Sequence, residues 1–482
     1  MFILLLFVSL TTAADNTVSP RGCRVGTPRP QGMALRRGAP SGQPKHVGGD
    51  FYHGERHQLT VLVSFSDQQF LQEDPMPVWS RILNEPNYTE TPFTGSVHDY
   101  FYAQSNGTFN LTFDLQRVAL GESRVKYRST SEDDENSQYL VNDIVDVLLT
   151  RDIDWSLYDW NGDGYINQLL IIYAGKSMHS DGDKNTIWAH QWWLSEHLKD
   201  RQEGVYCEPI PVTYGDKQYL VDCYCATMEE AYGDYRSFGT LCHEYTHCFG
   251  FPDFYTRGLY TTPRDWDLMD SSYNNNGFCP GNYSGHERMM MGWLTPTLLS
   301  TTQTVSSMPA NEAYIIRNDA HNDEYYMVEN RQKTGWDSYL PGSGLVVFHV
   351  DYNENTWLSL NEWVNTSSKL RYHIIPANNR PSYYYEANWA YPYISNDSLT
   401  NNSKPAATLN NENTDGTYFM SKSLRDISVT GGLASFRFTV DGTTGIDELP
   451  ADGEPRELYR IGPVVILRYP NGIVRKVVRP KP

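Results

Sequence analysis

The stretch Thr240-Leu241-Cys242-His243-Glu244-Tyr245-Thr246-His247-Cys248-Phe249-Gly250-Phe251-Pro252-Asp253 decides how this chain is read. It holds His-Glu-x-x-His, followed by x-x-Gly-x-x-Asp. On a helix, residues four apart stand one turn above each other, so His243 and His247 can converge on one ion. Imidazole suits zinc, and a catalytic zinc takes three protein ligands and keeps one position open. Glu244 is placed to accept a proton from the attacking water. Gly250 lets the chain leave the helix and bend back, so that Asp253 can bring a third, oxygen ligand. The bland alternative is an accidental match on a structural helix, and the added Gly250 and Asp253 weigh against it. Glu287, in Gly285-His286-Glu287-Arg288, is the other candidate for third ligand if Asp253 only makes a turn.

Beyond this stretch comes Trp266-Asp267-Leu268-Met269. Alone, Met269 is core filler, but a buried methionine soon after a zinc helix can form a tight turn beneath the metal-binding histidines. Upstream, Asp159, Asn161, Asp163, Tyr165 and Asn167 lie in an Asp-Trp-Asn-Gly-Asp-Gly-Tyr-Ile-Asn run. Oxygens at positions 1, 3 and 5, glycine at 6 and a carbonyl at 7 match the front of a calcium loop. Leu170 stands where an EF-hand needs its bidentate acid, so the run is either a calcium loop feeding a strand or an Asp/Asn/Gly turn. His190, among Trp188, Trp192 and Trp193, reads as a satisfied core or cleft histidine.

Composition narrows the class. The 482 residues suffice for two to four domains. The formal charge of −19 argues against a nucleic-acid partner, which calls for a basic face. An acidic surface agrees with bound calcium. Residues 1–14 read as a secretory signal, with an apolar run at 2–10 and small residues Thr12-Ala13-Ala14. The run is too short to span a bilayer, and no other stretch predicts an integral membrane segment. An extracellular or cell-surface protein is expected. Among the seven cysteines, Cys242 and Cys248 are six apart, about 9 Å by helical rise, which is beyond disulfide reach. A Cys23 thiolate could block the open metal position in a precursor, but a structural cysteine is the preferred reading.

In chain order, 15–56 is a Pro/Gly/Arg-rich leader or short pro-segment, and 57–300 is the catalytic domain. Within it the pattern predicts a strand at 57–65, a helix capped by Ser96, a strand at 108–115 and a helix at 140–149. A buried strand at 168–173 and a hairpin within 205–226 follow. From 301 to 442 apolar alternation at 313–317, 325–330, 345–350 and 433–440, broken by Gly, Asn and Pro, predicts a β-rich domain. Residues 443–482 read as a linker and a small strand-turn-strand tail.

These residues resemble the immune inhibitor A-like family of secreted bacterial zinc peptidases. The resemblance rests on His243 to Tyr255, the Trp266-Asp267-Leu268-Met269 turn, and the Asp159 loop followed by Tyr173-Ala174-Gly175. Tyr100-Phe101 with Ser105-Asn106-Gly107, and Val328-Glu329-Asn330-Arg331-Gln332 with Gly344-Leu345-Val346, extend it over residues 59–351. It implies an α+β fold, in which a metzincin-like catalytic domain precedes a β-sandwich-like C-terminal domain. It also implies zinc on His243 and His247, Glu244 as base, structural calcium, and Asp253 as third ligand, where the extended metzincin pattern usually has histidine. The expectation is a secreted zinc endopeptidase acting on proteins or peptides. The alternatives are a binding or adhesion protein on an inactive scaffold, and a metal-dependent hydrolase of non-peptide or glycan-linked substrates.

Overall fold

The computed structural model describes residues 47–49, 51–128, 136–178, 183–200, 205–255, 262–359, 363–441, 456–461, 464–468 and 474–478. The signal segment, Cys23 and most of the leader lie outside the described residues. The chain separates into two compact units, one ending at Thr439 and one beginning at Val440.

The first unit is built on a five-stranded sheet. Its strands are β1 (Gly54–Ser64), β2 (Phe109–Ala119), β3 (Leu169–Lys176) and β4 (His190–Trp193), joined, after the short strands β5 (Leu198–Asp200), β6 (Val205–Tyr206), β7 (Ile210–Tyr214) and β8 (Lys217–Val221), by β9 (Cys223–Glu230). The order is β2-β1-β3-β9-β4. The β1–β2, β1–β3 and β3–β9 pairs are parallel, and β4 closes one edge antiparallel to β9. A parallel sheet needs cover on both faces, which is why β3 reads as a continuous apolar run rather than an alternation. Leu169, Ile171 and Tyr173 join Leu59, Val61 and Val63 in one core, while Leu170 and Ile172 join Leu62 on the opposite face.

Helix α1 (Met76–Asn84) buries Trp79, Ile82 and Leu83, and α2 (Val97–Gln104) starts from a reciprocal Ser96/Asp99 capping box, as the sequence predicts. Helix α3 (Ser137–Leu148) contributes Leu140, Val141, Ile144, Val145 and Leu148 to one core. Helix α4 (Phe238–His247) lies on the other face, where Leu241, Cys242 and Tyr245 pack with Cys223 and Cys225 of β9. The single hairpin expected within 205–226 is instead the β5–β6 pair, the β7–β8 hairpin and the start of β9.

Helix α5 (Gly285–Met290) leads toward the β-rich part. There β10 (Thr297–Leu298), β12 (Ala313–Arg317), β13 (Glu324–Arg331), β14 (Gly344–Asp351) and β15 (Tyr372–Ile374) form a second five-stranded sheet in that order. The short helix α6 (Glu354–Trp357) lies between β14 and β15, and β11 (Gln303–Met308), β17 (Leu433–Val440) and β16 (Lys422–Thr430) make a three-stranded sheet. Every residue of β13 and β14 is buried. Met327, Val346, Phe348 and Tyr372 belong to the same core cluster as Leu62, Leu241 and Tyr245. The second sheet therefore shares a core with the α4 layer, and the architecture is mixed α/β.

The second unit holds a small antiparallel meander of β18 (Arg456–Ile461), β19 (Val464–Arg468) and β20 (Val474–Val478). No helix among the described residues is long and apolar enough to cross a membrane.

Candidate metal centre

Helix α4 carries the site because both of its ends are fixed. At its start the Ser237 hydroxyl donates to the Glu229 carbonyl at 2.6 Å, tying the helix to the end of β9. At its end Gly250, at φ +93°, turns the chain in a conformation that side chains rarely adopt, and its N–H reaches the His247 carbonyl at 2.9 Å. The reversed segment brings Asp253 back over the helix.

Each histidine is oriented through its Nδ1. His243 Nδ1 donates to the Leu268 carbonyl and His247 Nδ1 to the Phe251 carbonyl, each at 2.7 Å. Since a carbonyl only accepts, both rings hold their proton at Nδ1 and turn Nε2 to a common point. Asp253 Oδ1 lies 3.2 Å from His243 Nε2 and 3.4 Å from His247 Nε2. Ligands at about 2.05 Å on a tetrahedral zinc stand about 3.4 Å apart, so these separations fit one ion. The Asp253 Oδ1 atom is buried and makes no well-formed hydrogen bond despite these neighbours. Such an atom is costly unless a cation or proton answers it. Glu244 Oε2 stands 4.0 Å from His247 Nε2, and ligand atoms of His243, Glu244 and His247 all fall within 4.8 Å of one another.

The electrostatics point the same way. Burial would raise the Asp253 carboxyl, but the two imidazoles outweigh it and hold the group well below the usual carboxylate range. At His243 burial disfavours the charged form, yet the adjacent Asp253 carboxylate and the Glu244 charge push the ring up to about 9. At His247 burial prevails and lowers it. A metal bound at His243 Nε2 would compete with a proton for that atom.

Two tyrosines border the cluster that the sequence did not single out. The Tyr273 ring lies 4.8 Å from that of His243, and its phenol is pushed up to about 12, by burial first and by the Glu244 and Asp253 charges besides. Tyr255 hydrogen-bonds Asp253 and is raised further, again mainly by burial. Both remain O–H donors at neutral pH. Among many tyrosines, neither had a spacing signal to mark it.

Met269 is fully buried; its N–H donates to Asp267 Oδ1 at 2.9 Å and its carbonyl accepts from Phe254 at 2.8 Å. The turn thus holds His243 through Leu268 and the Asp253 segment through Phe254. Glu287 Oε2 accepts from the Ser284 N–H at 2.7 Å and from the Ser284 hydroxyl at 3.0 Å, capping α5, and its Oε1 is buried without a hydrogen-bond partner.

In the Asp159 loop the candidate oxygens accept N–H groups of the loop itself. Asp159 takes those of Asp163 and Gly164 at 3.1 Å each, Asp163 that of Tyr165 at 2.9 Å, and Asn167 that of Trp160 at 2.6 Å. Asn161 Nδ2 donates to Asp163 at 3.0 Å. This is an Asx-turn network running into β3. His190 is a satisfied buried histidine, bonded to the Trp188 carbonyl and the Tyr224 hydroxyl. Cys242 and Cys248 are free buried thiols, while Cys207 is disulfide-bonded.

Residues 57–293 match the family profile described as immune inhibitor A peptidase M6, catalytic domain. The match ends before the β-rich part. Comparison with curated proteins gave no significant match. The segment that carries His243, Glu244, His247 and Asp253 belongs to the immune inhibitor A peptidase M6 family, which supports a peptidase.

Proposed function

We propose that the protein is an exported zinc endopeptidase, with zinc held by His243, His247 and Asp253 and with Glu244 as general base. The observation that carries this reading is the convergence of two Nε2 atoms on one buried Asp253 oxygen, at 3.2 and 3.4 Å. Asp253 is preferred to Glu287 as third ligand because its Oδ1 lies within 3.4 Å of both Nε2 atoms. When bound, zinc supplies Lewis acidity and brings the pKa of a water down to about 7. The chain's own residues do the rest. Glu244 accepts the proton of the attacking water on its carboxylate and delivers it to the departing amine. The Leu268 and Phe251 carbonyls keep the imidazoles from rotating as charge shifts. Tyr255 and Tyr273 present O–H donors at the edge of the site.

Export is proposed from the apolar N-terminal run, and protein substrates from the family. The loop of Asp159, Asn161, Asp163, Tyr165 and Asn167 is proposed as a calcium site on its oxygen spacing alone.

One set of measurements tests this. Glu244→Gln should keep one zinc per chain and lose casein hydrolysis by about 10²–10⁴-fold, the range of general-base catalysis. His243→Ala should lose the zinc as well. Hydrolysis at the wild-type rate in Glu244→Gln would sink the mechanism, and zinc retained by His243→Ala would sink the ligand set. The same metal analysis, run for calcium, decides the loop.

A further inference from the structure

Two series of buried hydrogen bonds run to the metal-binding cluster, one from β15 of the second sheet and one from the segment that precedes it. The first begins at Tyr372 on β15, whose hydroxyl donates to Asp267 Oδ2 at 2.7 Å and also lies 2.7 Å from Ser284 Oγ. The other Asp267 oxygen takes the Met269 N–H, and the Asp267 carbonyl takes the Ser272 N–H at 3.0 Å. These bonds shape the turn whose Leu268 carbonyl orients His243. The second begins at Asn365, whose Nδ2 donates to the Phe254 carbonyl at 2.8 Å and to the Tyr372 carbonyl at 2.7 Å. Asn365 Oδ1 accepts from the Arg371 and Tyr372 N–H groups at 2.9 Å each. Phe254 follows Asp253 directly, and its N–H reaches Met269, which closes the two series into one ring.

All four side chains, Asp267, Phe254, Asn365 and Tyr372, are fully buried. The Phe254 and Tyr372 rings meet at 4.1 Å between centroids. Packing against Phe254 and Phe348 alone would be served by phenylalanine at 372; the hydroxyl instead reaches the buried polar groups Asp267 and Ser284. A phenol hydroxyl committed to a buried carboxylate fixes direction as well as filling space. Partners of this kind behind a metal ligand set its orientation, and their loss weakens metal binding by about 10–100-fold.

We propose that Tyr372 and Asn365 are positioning residues for the metal centre. Tyr372 acts through Asp267 and the Leu268 carbonyl on His243, and Asn365 acts through Phe254 on Asp253. The second sheet, outside the matched family segment, is then a working part of the active site. This inference rests on the metallopeptidase reading.

The test uses the full-length protein, stripped by a chelator and titrated with Co²⁺. It reads the visible absorption spectrum, the Kd for Co²⁺, and kcat and KM on a peptide substrate. Tyr372→Phe keeps the ring and removes the hydroxyl. It should shift or weaken the cobalt bands, raise Kd by about 10–100-fold, and lower kcat with KM unchanged. Asn365→Ala, acting on the Asp253 side, is the second arm and stands in should Tyr372→Phe fail to fold. Tyr326→Phe is the control: it removes another buried tyrosine hydroxyl of the same sheet, one that donates to the Thr408 carbonyl at 2.6 Å. It should leave spectrum and Kd unchanged. Wild-type spectra and affinity in folded Tyr372→Phe and Asn365→Ala would overturn the proposal, as would an equal change in Tyr326→Phe. A wild-type protein with no His243-dependent cobalt spectrum would instead remove the metallopeptidase reading, and this inference with it.

Discussion

A carbon added at Gly239 would stand 2.0 Å from the Tyr273 carbonyl oxygen, closer than any real contact. Gly239 sits in the first turn of the metal helix, where alanine would gain about 1 kcal/mol of helix propensity. The obstacle is backbone, not a side chain that can swing aside, so overpacking of about 1–3 kcal/mol outweighs that gain. Gly239→Ala should lower the melting temperature and separate the helix from the Tyr273 segment that flanks His243. Gly121→Ala, where the added carbon meets nothing within 4 Å, is the neutral control. A Gly239→Ala protein as stable as the wild type would refute the argument. At this scale the sequence was informative where chemistry follows helical spacing, as for His243, Glu244 and His247. It was silent on the Leu268 carbonyl, Tyr273 and Tyr372. A carbonyl has no residue signature, and these partners are brought to the helix only by the tertiary fold.

Alternation marked β12 and β17 at the bounds the structure gives them, because each presents distinct faces. The order of the first sheet, with β4 antiparallel at its edge, could not be read in this way, since strand pairing leaves no local pattern. The Asp159 loop shows the converse: one oxygen spacing serves calcium and an Asx-turn network alike, and local sequence does not separate them. In the second sheet, Glu324 of β13 is buried and meets His349 Nε2 of β14 at 2.8 Å. It also accepts from the backbone N–H groups of Asn410 and Asn411. Burial would raise this carboxyl, but His349 and these donors outweigh it and hold it down at about 2. The folded value lies below the ordinary one, so the stabilisation is fully present above about pH 4.5 and is lost as pH falls through about 2. Glu324→Gln should flatten the stability–pH curve in that window and cost about 1–3 kcal/mol near neutrality. An unchanged acid limb, followed by denaturant unfolding at several pH values, would contradict this.

Over the whole molecule, the family match stops at 293, yet the core continues from Leu62 and Tyr245 into Met327, Phe348 and Tyr372. An apolar layer shared in this way is not divisible at the end of a profile. A chain cut to residues 57–293 would expose the buried faces of Phe238, Phe254 and Trp266, which meet Trp336, Tyr372 and the Glu386 carbonyl, to water, at roughly 1.5–3 kcal/mol for each such side chain. That is a large share of the 5–15 kcal/mol that holds a typical domain folded. It would also lose Val47 and Tyr52, which belong to the core, and the Gly48 N–H bond to the Phe249 carbonyl just beyond the metal helix. Deleting 442–482 removes a compact unit of its own and leaves β17 complete. The two truncations should therefore diverge. Residues 1–441 should keep the near-ultraviolet circular dichroism, melting transition and metal stoichiometry of the full chain. Residues 57–293 should show no cooperative melting and no stoichiometric metal. Cooperative folding of 57–293 with bound zinc would show that the second sheet is dispensable to the site, against the shared core.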